Sequence, residues 1–179
     1  QRCSSTFTVA PAELIVFCSP DPNLPACRSQ DAIQTAYDTW RICFTFTGEC
    51  NVTTNIASIP VLPPDVYCNG ANLSFEYIVT DDCGNTQRCS STFTVAAPGN
   101  LAVSCAPNPN LPACRSQDAI QTAYNIWRTG FSFSGGCNVT TNISAIPPLP
   151  ANAHCNGANL SFEYIVTDDC GNTQRCSST

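Results

Sequence analysis

The 25 residues CNGANLSFEYIVTDDCGNTQRCSST, from Cys68 to Thr92, recur without change from Cys155 to Thr179. Likewise NLPACRSQDAIQTAY, Asn23 to Tyr37, recurs from Asn110 to Tyr124, so both stretches repeat at an offset of 87. The segments between them diverge but keep their length, as TGECNVTTNIASIP and SGGCNVTTNISAIP show. Self-similarity at a fixed period marks a structural unit used more than once. The first ten residues, QRCSSTFTVA, match Gln87 to Ala96 at an offset of 86. The expected organisation is therefore a terminal strand of a preceding repeat (1–10), repeat 1 (11–97) and repeat 2 (98–179) lacking its last strand. Starting and stopping in one strand suggests a window onto a longer array, or a subunit whose N-terminal strand completes its neighbour.

A unit of about 87 residues buries a limited share of its surface and gains from covalent staples. Fourteen cysteines supply them. That density points to a disulfide framework in an oxidising compartment, outside the cytosol or at the cell surface. Only 11% of residues are charged, all seven basic residues are Arg, and the net charge is −6. Without a basic cluster there is no electrostatic footprint for nucleic acid. No apolar run reaches the roughly 20 residues that span a bilayer, so no membrane insertion is expected in this segment.

Within one copy, Glu13 to Cys18 reads as a short strand, and Ser19 to Pro25 as a loop because its prolines fix φ and remove donors. From Ser29, an N-cap candidate, Ile33, Ala36, Tyr37 and Trp40 fall at helical spacing. Phe44 to Thr47 alternates as a half-buried strand, and residues 51–65 read mostly as loop with room for one weak strand. Leu73 to Thr80 and Ser91 to Val95 form a hairpin around the turn residues DDCGN. The expected fold class is mainly β: tandem Ig-like β-sandwich repeats, each with one short helical insertion and about three disulfides.

The run FEYIVTDDCGNTQRCSSTFTV resembles the closing strands of hyalin-repeat (HYR-like) domains, which are Ig-like sandwiches. The segments PACRSQDAIQTAYDTW and FTFTGECN or FSFSGGCN are similar to cysteine-rich HYR-like modules of large secreted Bacteroidetes surface and gliding-motility adhesins. The resemblance implies an architecture and a location, and it implies no catalytic residue. Cys43, where the second copy has Gly130, departs from the pattern.

Six cysteines recur in each copy: Cys18, Cys27, Cys50, Cys68, Cys83 and Cys89, then Cys105, Cys114, Cys137, Cys155, Cys170 and Cys176. Six allow fifteen pairings. The expected set is Cys83 with Cys89 across the hairpin, Cys27 with Cys50 bracketing the helix, and Cys18 with Cys68 by elimination. Cys3 and Cys43 are left over, unpaired or bonded between subunits. Cys3 stands as the last cysteine of an upstream copy, with a partner equivalent to Cys83, or Cys170 of a neighbouring subunit.

No CxxC pair exists and the only histidine is His154, so neither a zinc site nor dithiol redox chemistry is expected. Asp81, Asp82, Asp168 and Asp169 are the calcium candidates, although turn-forming Asp explains them more simply. A single His excludes a duplicated Ser-His-Asp site, and Glu76 and Glu163 lie within a strand. No cofactor is implied. Sequons occur at Asn51, Asn72, Asn138, Asn142 and Asn159. Tyr37, Trp40, Tyr124 and Trp127 have helical spacing and are expected in the core rather than stacked on sugars.

These readings point away from an enzyme. They point to a structural repeat unit of an extracellular filament or giant cell-surface adhesin, a disulfide-stapled shaft whose partners are copies of itself or adjacent repeats. One alternative is an adhesion module that binds surface glycan or protein. Another is a filament subunit polymerised by strand donation, FTVA of one chain filling the edge of the next.

Overall fold

The apolar spacing that marks Ile33, Tyr37 and Trp40 places all three on the buried side of helix α1, Gln30–Ile42. Ser29 caps it, accepting the Ala32 N–H on its hydroxyl, and Asp31 in the first turn complements the helix dipole. The computed structural model describes residues 2–10, 13–48 and 51–179. It divides into two compact units, Gln1–Ala97 and Pro98–Thr179.

In the first unit, β1 (Ile15–Phe17) pairs antiparallel with β3 (Thr45–Thr47). A second sheet has the order β2-β6-β5-β4, with β2 at Asn23–Leu24, β4 at Thr53–Thr54, β5 at Ala71–Thr80 and β6 at Thr86–Val95. The β5–β6 hairpin is its backbone. Alternation puts Phe75, Tyr77 and Val79 of β5 inward, beside Ser91, Phe93 and Val95 of β6. Helix α1 closes this face, with Phe93 between Tyr37 and Trp40 at ring-centroid distances of 5.7 Å to each. Tyr37 donates its hydroxyl to the Pro60 carbonyl and Trp40 its indole N–H to Ser91 Oγ, so both polar tips are satisfied.

Three details depart from the expected elements. The proline-rich loop contains β2, which runs parallel to β6. Its prolines do not prevent this, because the bonds use carbonyls: Pro22 O accepts Thr94 N–H and Leu24 O accepts Ala96 N–H. Residues 51–65 hold, besides the one weak strand allowed there (β4), a 3-10 turn at Ile56–Ser58, and a short helix α2 follows at Val66–Asn69.

The second unit has β7 (Ala102–Ser104) paired with β8 (Ser132–Ser134), helix α3 (Gln117–Thr129), β9 (Thr140–Thr141), a 3-10 turn (Ile143–Ala145), α4 (Ala153–Asn156), β10 (Phe162–Thr167) and β11 (Thr173–Ser178). Its larger sheet has three strands, β11-β10-β9. Among the described residues no strand of this unit corresponds to β2, and β10 begins at Phe162 although its counterpart β5 begins four residues earlier in register.

Candidate functional site

The covalent frame differs from the expected pairing. Cys18 is bonded to Cys89 and Cys105 to Cys176, each pair 71 residues apart. These bonds overturn Cys83–Cys89 and Cys18–Cys68, and the reason lies in the register. Across the hairpin Cys89 faces Tyr77, not Cys83, which lies in the turn, so its sulfur is presented to the inner face where β1 ends.

In the second unit Cys137 and Cys170 are also disulfide-bonded, whereas Cys114 and Cys155 stand as exposed thiols. The Asp169 N–H donates to Cys137 O at 3.0 Å, which holds the Cys137 segment against the hairpin turn that carries Cys170. The expected Cys27–Cys50 bond therefore has no counterpart at Cys114 and Cys137. Cys50 itself lies outside the described residues, while Cys27 and Cys68 are both disulfide-bonded. Cys3 is exposed and Cys43, at the end of α1, is half-buried, and neither is bonded. Since Cys89 and Cys176 bond back to the first strand of their units, the repeat partner of a cysteine in the position of Cys3 is the equivalent of Cys18, not of Cys83. At Gly130, the counterpart of Cys43, an added Cβ would sit 2.8 Å from Ala106 Cβ, so a side chain there would require the Ala106 segment to shift.

The hairpin turns occupy the four carboxylates considered for calcium. Asp81 accepts the Cys83 and Asn85 N–H groups on Oδ1 and the Asn85 side-chain amide on Oδ2, and Asp168 does the same with Cys170 and Asn172. The Asn85 amide, then the backbone donors, hold the Asp81 carboxyl below the usual range against some desolvation. Asp168 is lowered in the same way, first by the Asn172 amide. Asp82 and Asp169 each accept the side-chain amide of Asn51 and Asn138, respectively. Among the described residues no group of three or more His, Cys, Asp or Glu is arranged to hold a metal ion. Glu76 and Glu163 form exposed ion pairs with Arg88 and Arg175 at 3.4 and 3.8 Å.

Two residues of structural consequence were not singled out by pattern. Asn55 donates its side-chain amide to Glu76 O and accepts the Ile78 N–H, so one side chain imitates a strand against β5. Asn142, noted only as a sequon, does the same on β10 with Glu163 and Ile165. The only signal was the shared NVTTN in both copies.

A concave feature with a defined shape lies in the second unit. It is a groove of about 610 Å³, lined by Asn110 to Arg115 and by Gly157 to Leu160. Tyr124 and Trp127 also line it. In the first unit the equivalent space is filled: Phe93 is 0% and Val95 4% exposed, and β6 lies between β2 and β5. The consequences of the open slot are local. Leu111 is 44% exposed where Leu24 is half-buried, and Ile120 and Tyr124 are half-buried where Ile33 and Tyr37 are buried. His154 lies at the rim, its ring Nδ1 3.0 Å from Gln117 Oε1. Trp127 retains its bond to Ser178 Oγ, and Thr179 N–H still reaches Asn108 Oδ1, so the register holds up to the mouth of the groove.

No protein-family model matches the sequence, and no curated protein matches it at a significant level. Among the described residues, no helix is long and apolar enough to cross a membrane.

Proposed function

We propose that the chain is a structural repeat unit of an extracellular filament or giant surface adhesin, built from Ig-like units of the HYR type and serving as a disulfide-stapled shaft. The carrying observation is where the Cys18–Cys89 and Cys105–Cys176 bonds fall. Each closes a loop of 71 residues within an 87-residue period, tying the first strand of a unit to its closing hairpin.

Tension applied along such a chain cannot pull the looped residues out. Only about 16 residues per period lie outside the loop, which at ~3.5 Å each extend to about 55 Å, against about 300 Å for an unlinked repeat. Force is then borne by the covalent bond and by the part of β6 that follows Cys89, held between β2 and β5. Disulfides of this kind persist in oxidising surroundings, which supports the extracellular setting.

Electron microscopy of the native material tests the reading. A thin fibre or stalk with an axial repeat matching one unit is expected. Isolated globular particles with no fibre would overturn it.

A further inference from the structure

We propose that Cys114 and Cys155 form a thiol–disulfide exchange site, which a small-molecule disulfide closes into a bond and a thiol reopens while the other bonds of the unit stay shut. The second unit holds this pair in its dithiol form. The first unit carries the closed form. There Cys18 and Cys89 bond each other, and Cys27 and Cys68 are the two remaining bonded cysteines among the described residues of the unit, which assigns them to one another. Cys114 and Cys155 are their counterparts at the offset of 87, each within a stretch that the two copies share letter for letter.

The backbone at both positions is also shared. Cys27 and Cys114 take the left-handed conformation at φ 62° and 64°, which few non-glycine residues adopt. Cys68 and Cys155 are each the third residue of a short helix, donating their N–H groups to Asp65 O and Asn152 O at 3.0 and 3.1 Å. Helix α2 packs on α1, and α4 on α3. In the second unit one side chain makes that tie: Gln117 Oε1 accepts the His154 N–H at 3.3 Å and lies 3.0 Å from the ring Nδ1. Gln117 is the first residue of α3, so Cys155 stands beside the turn that Cys114 leads into.

Access separates this pair from the rest. Exchange requires a sulfur that an incoming thiolate or disulfide can reach. Cys114 and Cys155 are the exposed cysteines of the second unit, whereas Cys137 is buried and Cys105, Cys170 and Cys176 are half-buried. Closing takes two steps. One thiolate attacks the oxidant's disulfide, forming a mixed disulfide and releasing one thiol; the second thiolate then displaces the other half. One S–S bond breaks and one forms, the oxidant is reduced to two thiols, and these take up both protons.

Cys155 lies 41 residues after Cys114, and the loop falls wholly inside the one that Cys105–Cys176 closes. Its state therefore leaves the length of the unit under tension unchanged. What it changes is resistance to unfolding, by constraining the unfolded chain. The inference accordingly does not rest on the shaft reading.

The test treats the 179-residue chain with glutathione disulfide, beside its C155S variant and the C114S/C155S pair. Before treatment maleimide labels both thiols. Afterwards the chain should lose the mass of two hydrogens and both labels, and an unreduced digest should give the Cys114 and Cys155 peptides joined. Its melting midpoint should rise by at least about 5 °C, with no rise in the double variant. C155S should instead keep one glutathione on Cys114. Mild dithiothreitol without denaturant should restore both labels and leave Cys137 and Cys170 unlabelled. Glutathione retained on both cysteines of the unmodified chain, a bond mapped to any other cysteine, or opening of Cys137–Cys170 at the same reductant concentration would overturn the site. A fibre present or absent in native material leaves each of these results as it stands.

Discussion

Replacing Phe93 with Ala removes the side chain that most fully fills the first unit. Phe93 is wholly buried, packed edge-on to Tyr37 and tilted against Trp40, on a strand flanked by β2 and β5. Large-to-small changes of a buried Phe cost about 3–5 kcal/mol, more where the walls cannot collapse. Here collapse is opposed on each side: α1 is held by the Tyr37–Pro60 and Trp40–Ser91 bonds, and β6 is tied by Cys89 to Cys18. The upper part of the range, about 4–5 kcal/mol, is expected. Against the roughly 5–15 kcal/mol typical of a whole domain, that leaves the unit close to unfolding. Guanidinium unfolding with disulfides intact measures it, with Trp40 emission as the probe in a W127F background. A loss below about 1.5 kcal/mol would refute the reasoning. It would mean the slot closes around a missing ring.

Ser19 is buried and its hydroxyl has no partner among the described residues, while the second copy has Ala106 there, so S19A should stabilise the first unit by about 1 kcal/mol in the same assay. Removing the Cys18–Cys89 bond as a Ser pair should cost up to about 4 kcal/mol, the chain-entropy value for a loop of 71 residues, seen as a lowered melting midpoint; an unchanged midpoint would exclude it. Maleimide applied to the folded chain should label Cys114 and Cys155 and spare Cys137 and Cys170, read by peptide mass spectrometry. The Asp81 and Asp168 carboxyls titrate below their unfolded value of about 3.9. Their contribution is therefore full above that value and lost as pH falls through the lower folded one. D81N with D168N should flatten the acid limb of stability below about pH 4, whereas a limb as steep as in the unmodified chain would show that these turns play no part.

Helix α1 was legible because its signal is local: a Ser cap and four apolar residues at one spacing. The hairpin was legible for the same reason, its alternation broken only by DDCGN. The two-residue β2 was not, since its pairing depends on β6, about 70 residues away, and prolines that spoil donors leave carbonyls untouched. The disulfide pattern failed on a question of faces. Sequence distance favours Cys83 for Cys89, but inward alternation sends Cys89 toward β1. That a groove in the second unit is lined by Tyr124 and Trp127 was not legible in the sequence, because it needed the packing of α3 and α4 together.

Single-molecule stretching of several of these units joined in tandem, oxidised and then reduced, tests the mechanical role of the long-loop disulfides most directly. Oxidised units are expected to lengthen by no more than about 55 Å each before the covalent bond takes the force, and reduced units by about 300 Å less their folded length. Equal gains under both conditions would contradict a shaft whose extension the Cys18–Cys89 and Cys105–Cys176 bonds limit.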